Sequence, residues 1–168
     1  MPTTPNLPTR PPCFPKEWLD GSVELDVPPA LLSARWDTDI YDTNGVQPNN
    51  IIRITDPFEV CFRVELSGDL WRCMCGTWCF ELGFSPCGEG TGFNLSKRMG
   101  RDLHLRDWKG CDTQCIEYCV TVPPGTVTAD DCSTMYEVCA TFELRCCDKP
   151  GAILVGYEVL GPFQFYKP

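Results

Sequence analysis

The side chains best equipped for chemistry here are thiols: the 168-residue chain holds 13 cysteines and a single histidine, His104. Cysteine can be cross-linked, can ligate a soft metal or can act as a nucleophile, and spacing discriminates among these uses. Zinc knuckles usually place two residues between paired cysteines, a spacing this chain never uses. Instead, one residue separates Cys73 from Cys75. Three separate Cys75 from Cys79, Cys111 from Cys115 and Cys115 from Cys119, and Cys146 adjoins Cys147. Positions two apart on a strand lie roughly 6.5–7 Å from one another, beyond unstrained disulfide reach. Each such thiol therefore needs a partner on another strand, in a loop or on another chain. Disulfides are the expected use, ahead of a soft-metal cluster or reduced thiols. The candidates are Cys61, Cys73, Cys75, Cys79, Cys87, Cys111, Cys115, Cys119, Cys132, Cys139, Cys146 and Cys147. Cys13 stands apart from them on a proline-rich stretch, and the odd cysteine count makes it the candidate for a bond to a neighbouring chain.

Catalytic patterns are sparse. His104 shares a strand face with Asp102 and Arg106, but nothing in the sequence brings a serine or cysteine nucleophile to it. Nucleophile-elbow, P-loop and dinucleotide fingerprints are absent, so neither enzymatic activity nor a cofactor is expected. Asp37, Asp39, Asp42 and Asn44, ahead of Gly45, form an oxygen-rich segment of the kind calcium uses, although the spacing is not that of an EF-hand, and no metal site is assigned. Asn94-Leu95-Ser96 matches a glycosylation acceptor, a triplet that often arises by chance. The formal net charge of −9, with no basic cluster, argues against a nucleic-acid partner or an anionic membrane. No run approaches the ~18 apolar residues of a helical membrane span.

Strands must position these residues, because the hydrophobic period is two almost throughout. In the stretch from Cys73 to Phe84, Met74, Gly76, Trp78, Phe80, Leu82 and Phe84 fall on one face, and Cys73, Cys75, Thr77, Cys79 and Glu81 on the other. Phe58 to Leu66 alternates still more cleanly, with Phe58, Val60, Phe62, Val64 and Leu66 inward. Ile116, Tyr118 and Val120 repeat the pattern, as do Val138, Ala140 and Phe142, and with the preceding rows they make the expected core. Val23–Val27 and Ile51–Ile54 are short strands, and Leu31–Tyr41 is ambiguous, with a short edge strand beginning near Trp36. Leu103–Trp108 is another strand, Ile153–Tyr166 is one strand or two broken at Gly161-Pro162, and residues 85–101 form a glycine-rich loop. About eight short strands separated by turn signals predict an all-β fold: a disulfide-rich antiparallel β-sandwich, immunoglobulin-like or jelly-roll in style.

If Phe58–Leu66 and Cys73–Phe84 form an antiparallel hairpin, Phe62 opposes Trp78 and Cys61 opposes Cys79 within bonding distance. The same logic sets Cys119 opposite Cys139. In an immunoglobulin-like topology either connection would cross between sheets instead.

Residues 1–21, with six prolines in the first fifteen positions, read as an extended arm, and 22–168 as the sandwich domain. So many cysteines predict an oxidising, extracellular or cell-surface location. Residues 1–8 show no recognisable signal peptide, which points to a leader already removed or, with Met1 in place, to another export route. The leading functional expectation is a structural subunit that self-assembles into an extracellular or surface filament or polymer, its partner being itself through Cys13. The alternative is a secreted monomeric binding module or effector that recognises a partner through loops such as 85–101 and 123–134.

Overall fold

The computed structural model describes residues 13–25, 27–42, 50–111, 113–130, 132–145 and 152–168. Its strands are β1 (Ser22–Leu25), β2 (Ser33–Asp42), β3 (Ile51–Arg53), β4 (Phe58–Ser67), β5 (Cys75–Pro86), β6 (Phe93–Asn94), β7 (Leu103–Lys109), β8 (Cys115–Val122), β9 (Ser133–Arg145) and β10 (Ala152–Tyr166), with one short helix, α1 (Leu95–Met99). A three-stranded sheet runs β2-β4-β8. The larger sheet is built on β10-β9-β5: β1 and β3 flank β10 at its two ends, and β7 and β6 flank β5. Every pairing is antiparallel except β3 with β10.

The two sheets pack face to face because each turns one apolar row inward. Phe62 of β4 stacks on Phe80 of β5 with centroids 4.6 Å apart, and Trp36 of β2 meets Phe142 of β9 edge-on at 4.7 Å. Phe58 of β4 reaches Phe165 of β10 at 5.6 Å. The expected inward rows of β4, β5, β8 and β9 are buried in this shared core, while Met74 and Tyr118 are only partly covered against it. All-β character and partial cross-linking by disulfides follow directly.

Three local expectations are corrected. Leu31–Tyr41 supplies a full ten-residue strand, β2, with Trp36 and Ile40 buried. Leu70–Cys73 is a 3-10 turn, so the central strand starts only at Cys75. Residues 85–101 contain β6 and α1; Asn94 caps the helix by accepting from the Ser96 amide (3.0 Å), and Leu95 is buried.

Bulges explain where strict alternation fails. Between Gly76 and Trp78 the partner on β7 advances from Trp108 to Leu105, one residue too many, with Asp107 at φ 58° in the left-handed region. The extra residue turns Trp108 inward against Trp78, centroids 5.3 Å apart. A second shift at Gly161-Pro162 lets β10 continue as one strand, with both Leu160 and Phe163 buried. Proline lacks the amide a regular ladder needs, so a bulge accommodates it.

The hairpin register is overturned. Phe58–Ser67 pairs with β2 and β8, not with β5. The chain from Ser67 to Cys75 crosses from one sheet to the other through the 3-10 turn, so Phe62 meets the β5 row through the core and not as a ladder neighbour.

Candidate functional site

The disulfide framework comes first, because it holds the N-terminal segment in place. In the β4–β8 ladder Cys61 opposes Cys119, and the two are bonded across the outer face of the small sheet with Cα atoms 4.1 Å apart. This replaces both expected pairs, Cys61 with Cys79 and Cys119 with Cys139: Cys79 and Cys139 belong to the other sheet and carry free thiols. Cys13 is bonded to Cys115 of its own chain, Cα to Cα 5.8 Å. The intermolecular role expected of Cys13 is therefore wrong, and with it falls the self-assembling filament that Cys13 was to link. The N-terminal segment carries its cysteine back onto the outer face of the small sheet because a largely covered carboxylate there captures its backbone. Glu65 accepts from the Cys13 amide (2.7 Å) and the Phe14 amide (3.3 Å) while pairing with Arg35 (2.7 Å).

Among the other cysteines, Cys73, Cys75, Cys87, Cys111 and Cys132 are exposed. Cys146 and Cys147 lie outside the described residues. Cys79 opposes His104 in the β5–β7 ladder, and His104 Nδ1 lies 3.9 Å from Asp102, so the tertiary pairing supplies the thiol that sequence alone could not bring to the histidine. Burial pushes the Cys79 thiol up, and nearby Glu143, Asp102 and Glu81 add to this against the lowering effect of Arg145.

The other chemistry-bearing cluster lies where the edge of the small sheet meets β10. A cleft of about 630 Å³ is lined by Glu17, Trp18 and Asp20 from the segment before β1, residues 37–41 of β2, Asn50, and residues 158–161 and 163 of β10. The Cys13–Cys115 bond and the 3-10 turn Lys16–Trp18 fix the first wall. Leu19 is buried, and Trp18 lies over the Arg63 guanidinium at 5.4 Å while remaining 48% exposed.

The acidic segment on β2 divides its labour. Asp39 turns to the outer face of the sheet and is held by Arg63, Nη1 to Oδ2 2.7 Å, with the Tyr41 hydroxyl donating to it at 3.0 Å. Asp37 instead joins Asp20 and Glu158, one carboxylate oxygen of each lying within 4.8 Å of the others. Asp42 lies at the end of β2, and Asn44 falls outside the described residues. The candidate ligand set Asp37, Asp39, Asp42 is thus not the set the fold assembles. Glu158 accepts from the Thr38 amide at 3.0 Å. Burial, reinforced by the neighbouring Asp39 charge, pushes Asp37 up to about 6. Burial, the hydrogen bond its protonated carboxyl donates to Asp37 and that residue's charge push Glu158 up to about 9. Around neutral pH the pair therefore shares a proton.

Sequence reasoning missed Asp20, Thr38 and Glu158. A signal existed: Glu158 interrupts the inward row Leu154, Gly156, Leu160, and Thr38 interrupts the inward row Trp36, Ile40. A polar residue within an apolar row needs a reason, and here the two interruptions meet across the sheets.

No described helix is long and apolar enough to cross a membrane. No protein-family model matches the chain, and no curated protein matches it. Among solved structures it is similar to one titled "Crystal structure of the C-terminal domain of wzt", at 11% identity and a TM-score of 0.45, covering 94% of this chain and 83% of that one.

Proposed function

We propose that the protein is a non-catalytic binding module that takes a hydroxyl-rich ligand into the cleft between β2 and β10, with residues 1–21 as an arm on the 22–168 domain. The observation that supports this most is the composition of the cleft: the exposed Trp18 indole stands beside Asp20, Asp37, Glu158 and Asn50. An indole offers a flat apolar platform for the C–H face of a sugar-like ring, and carboxylates and amides accept from its hydroxyls. Recognition is thereby proposed at the edge of the sandwich and not at loops such as 85–101 and 123–134, which the alternative sequence reading named. Disulfides in a chain of this cysteine content fit an extracellular or surface location, which remains part of the proposal.

An array of immobilised oligosaccharides, probed with the full chain and with Trp18→Ala, tests this. At least one glycan should be retained, and the variant should lose about tenfold in affinity, corresponding to ~1.4 kcal/mol. Trp18 is half-exposed, so its truncation should leave melting nearly unchanged. Binding that ignores the substitution, or no retained glycan at all, would remove the cleft from this role.

A further inference from the structure

We propose that Tyr157 forms a second ring-binding subsite, and that the ligand is a non-acidic chain of several rings laid lengthwise along the open edge of β10, from Trp18 to Tyr157. The inference rests on the recognition reading above and adds to it the length and charge of the ligand.

The groove exists because of how β10 is paired. β9 runs along one edge of β10 from Ala152 to Tyr166, so β1 and β3 must share the other. β1 covers that second edge up to Tyr157, opposite Ser22, and β3 resumes only at Gln164, opposite Ile51. Among the described residues no strand pairs with this edge in between. Residues 158–163 therefore leave roughly 20 Å of it open, at ~3.3 Å per strand residue. An uncovered strand edge presents amide and carbonyl groups, and ligand hydroxyls can satisfy both.

Two cavities follow this edge. The cleft of about 630 Å³ adjoins a smaller one of about 310 Å³, lined by Gly21, Ser22 and Tyr157, and the two share Asp20, Glu158 and Val159. Each carries an exposed aromatic, Trp18 in the first and Tyr157, 50% exposed, in the second. The Tyr157 hydroxyl already lies 3.8 Å from Cys139 Sγ, so the ring is what this residue offers a ligand. Two platforms flanking shared carboxylates suit repeating rings; a single ring has use for only one.

Charge and the bulge select among chain-like ligands. Glu17, Asp20, Asp37 and Glu158 line the cavities, and among the described residues no lysine or arginine does. An acidic chain would meet like charge with nothing to offset it, so uncharged or amino-bearing rings are expected. An extended peptide can also add to an open strand edge. Here the register shift between Leu160 and Phe163 interrupts the ladder, and Pro162 has no amide to donate. Ring hydroxyls need no such regular spacing.

An array printed with neutral, amino-bearing and acidic linear oligosaccharides, each as a series of increasing length, and with extended peptides, tests this on the full chain. Retention should rise from single rings to oligomers that fill the open edge and then level off, and the acidic series should not be retained. Tyr157→Ala should weaken the longer oligomers about tenfold and remove most of their advantage over single rings. Tyr157→Phe, which keeps the ring, should restore that advantage. Tyr157 is half-exposed, so melting should hardly change in either variant. Retention that depends on Trp18 but on neither length nor Tyr157 would overturn the second subsite while leaving the binding module standing. Preference for acidic chains or for peptides would overturn the inference as well. Absence of any retained glycan would overturn both readings.

Discussion

Cys13 is the residue whose meaning changed most. On sequence it is a lone thiol on a stiff arm, ready for a neighbour; in the fold it closes a 102-residue separation onto Cys115. The bond holds one wall of the cleft, because Glu17, Trp18 and Asp20 follow within a few residues. Cys13→Ser should therefore weaken ligand uptake several-fold and expose residues 13–21 to protease, while the chain remains monomeric with or without reductant. Size-exclusion chromatography and timed trypsin digestion check this; reductant-sensitive multimers in the native protein would contradict it. Phe62 carries a different kind of residue-scale prediction. It is fully buried and stacked on Phe80, so Phe62→Ala should cost about 3–5 kcal/mol in denaturant unfolding. A loss below 1 kcal/mol would mean that the sheets are not held together there.

Among elements, β2 and β10 determine the site. β2 forms the edge of the small sheet and β10 the spine to which β1 and β3 attach, so their inward rows approach each other beside the open edge. Each spends one inward position on a polar residue, Thr38 and Glu158, joined by the amide-to-carboxylate hydrogen bond of 3.0 Å. The pH response of these elements follows from the carboxylates. Asp20, Asp37, Asp39 and Glu158 surround one another from the three segments that meet here, with Glu17 at the rim. Asp37 rises from 3.8 to about 6 and Glu158 from 4.5 to about 9, so the folded form holds these protons more tightly than the unfolded chain. Their stabilising effect is complete below the unfolded values and is lost as pH rises through about 6 and then about 9. The melting temperature should fall between pH 5 and pH 9, and Glu158→Gln should flatten the upper part of that fall. A melting temperature that climbs across this window would refute the assignment.

At the scale of the whole molecule, the two sheets are protected in different ways. The larger sheet contributes to the core chiefly through β5, β9 and β10. The small sheet turns outward a polar face on which Arg63, 6% exposed, is held by Asp39 and Glu117 and covered by Trp18. A cation buried so far from water is stable only when paired and hydrogen-bonded. The N-terminal segment supplies part of that cover and, through the same docking, a wall of the cleft. Covalent stapling therefore serves both the small sheet and the proposed recognition site.

Sequence by itself determined the strand content, the inward rows of β4, β5, β8 and β9, and the all-β class, because a period of two is a local property of the chain. It also identified the acidic stretch on β2 as chemically interesting. Local pattern carries no information on which strand lies beside which, and an error there changes every cross-strand pair at once. Thus Cys61 bonds to Cys119 because β4 crossed to the other sheet from β5, and Cys13 bonds to Cys115 because Glu65 anchors the arm. Trp108 turns inward only because a bulge at Asp107 adds a residue to β7. The three carboxylates of the cleft stand at positions 20, 37 and 158, separated along the chain by long stretches of unrelated sequence. Only the packing of β2 and of the segment before β1 against β10 brings them within 4.8 Å, where burial and like charge raise Asp37 and Glu158 together.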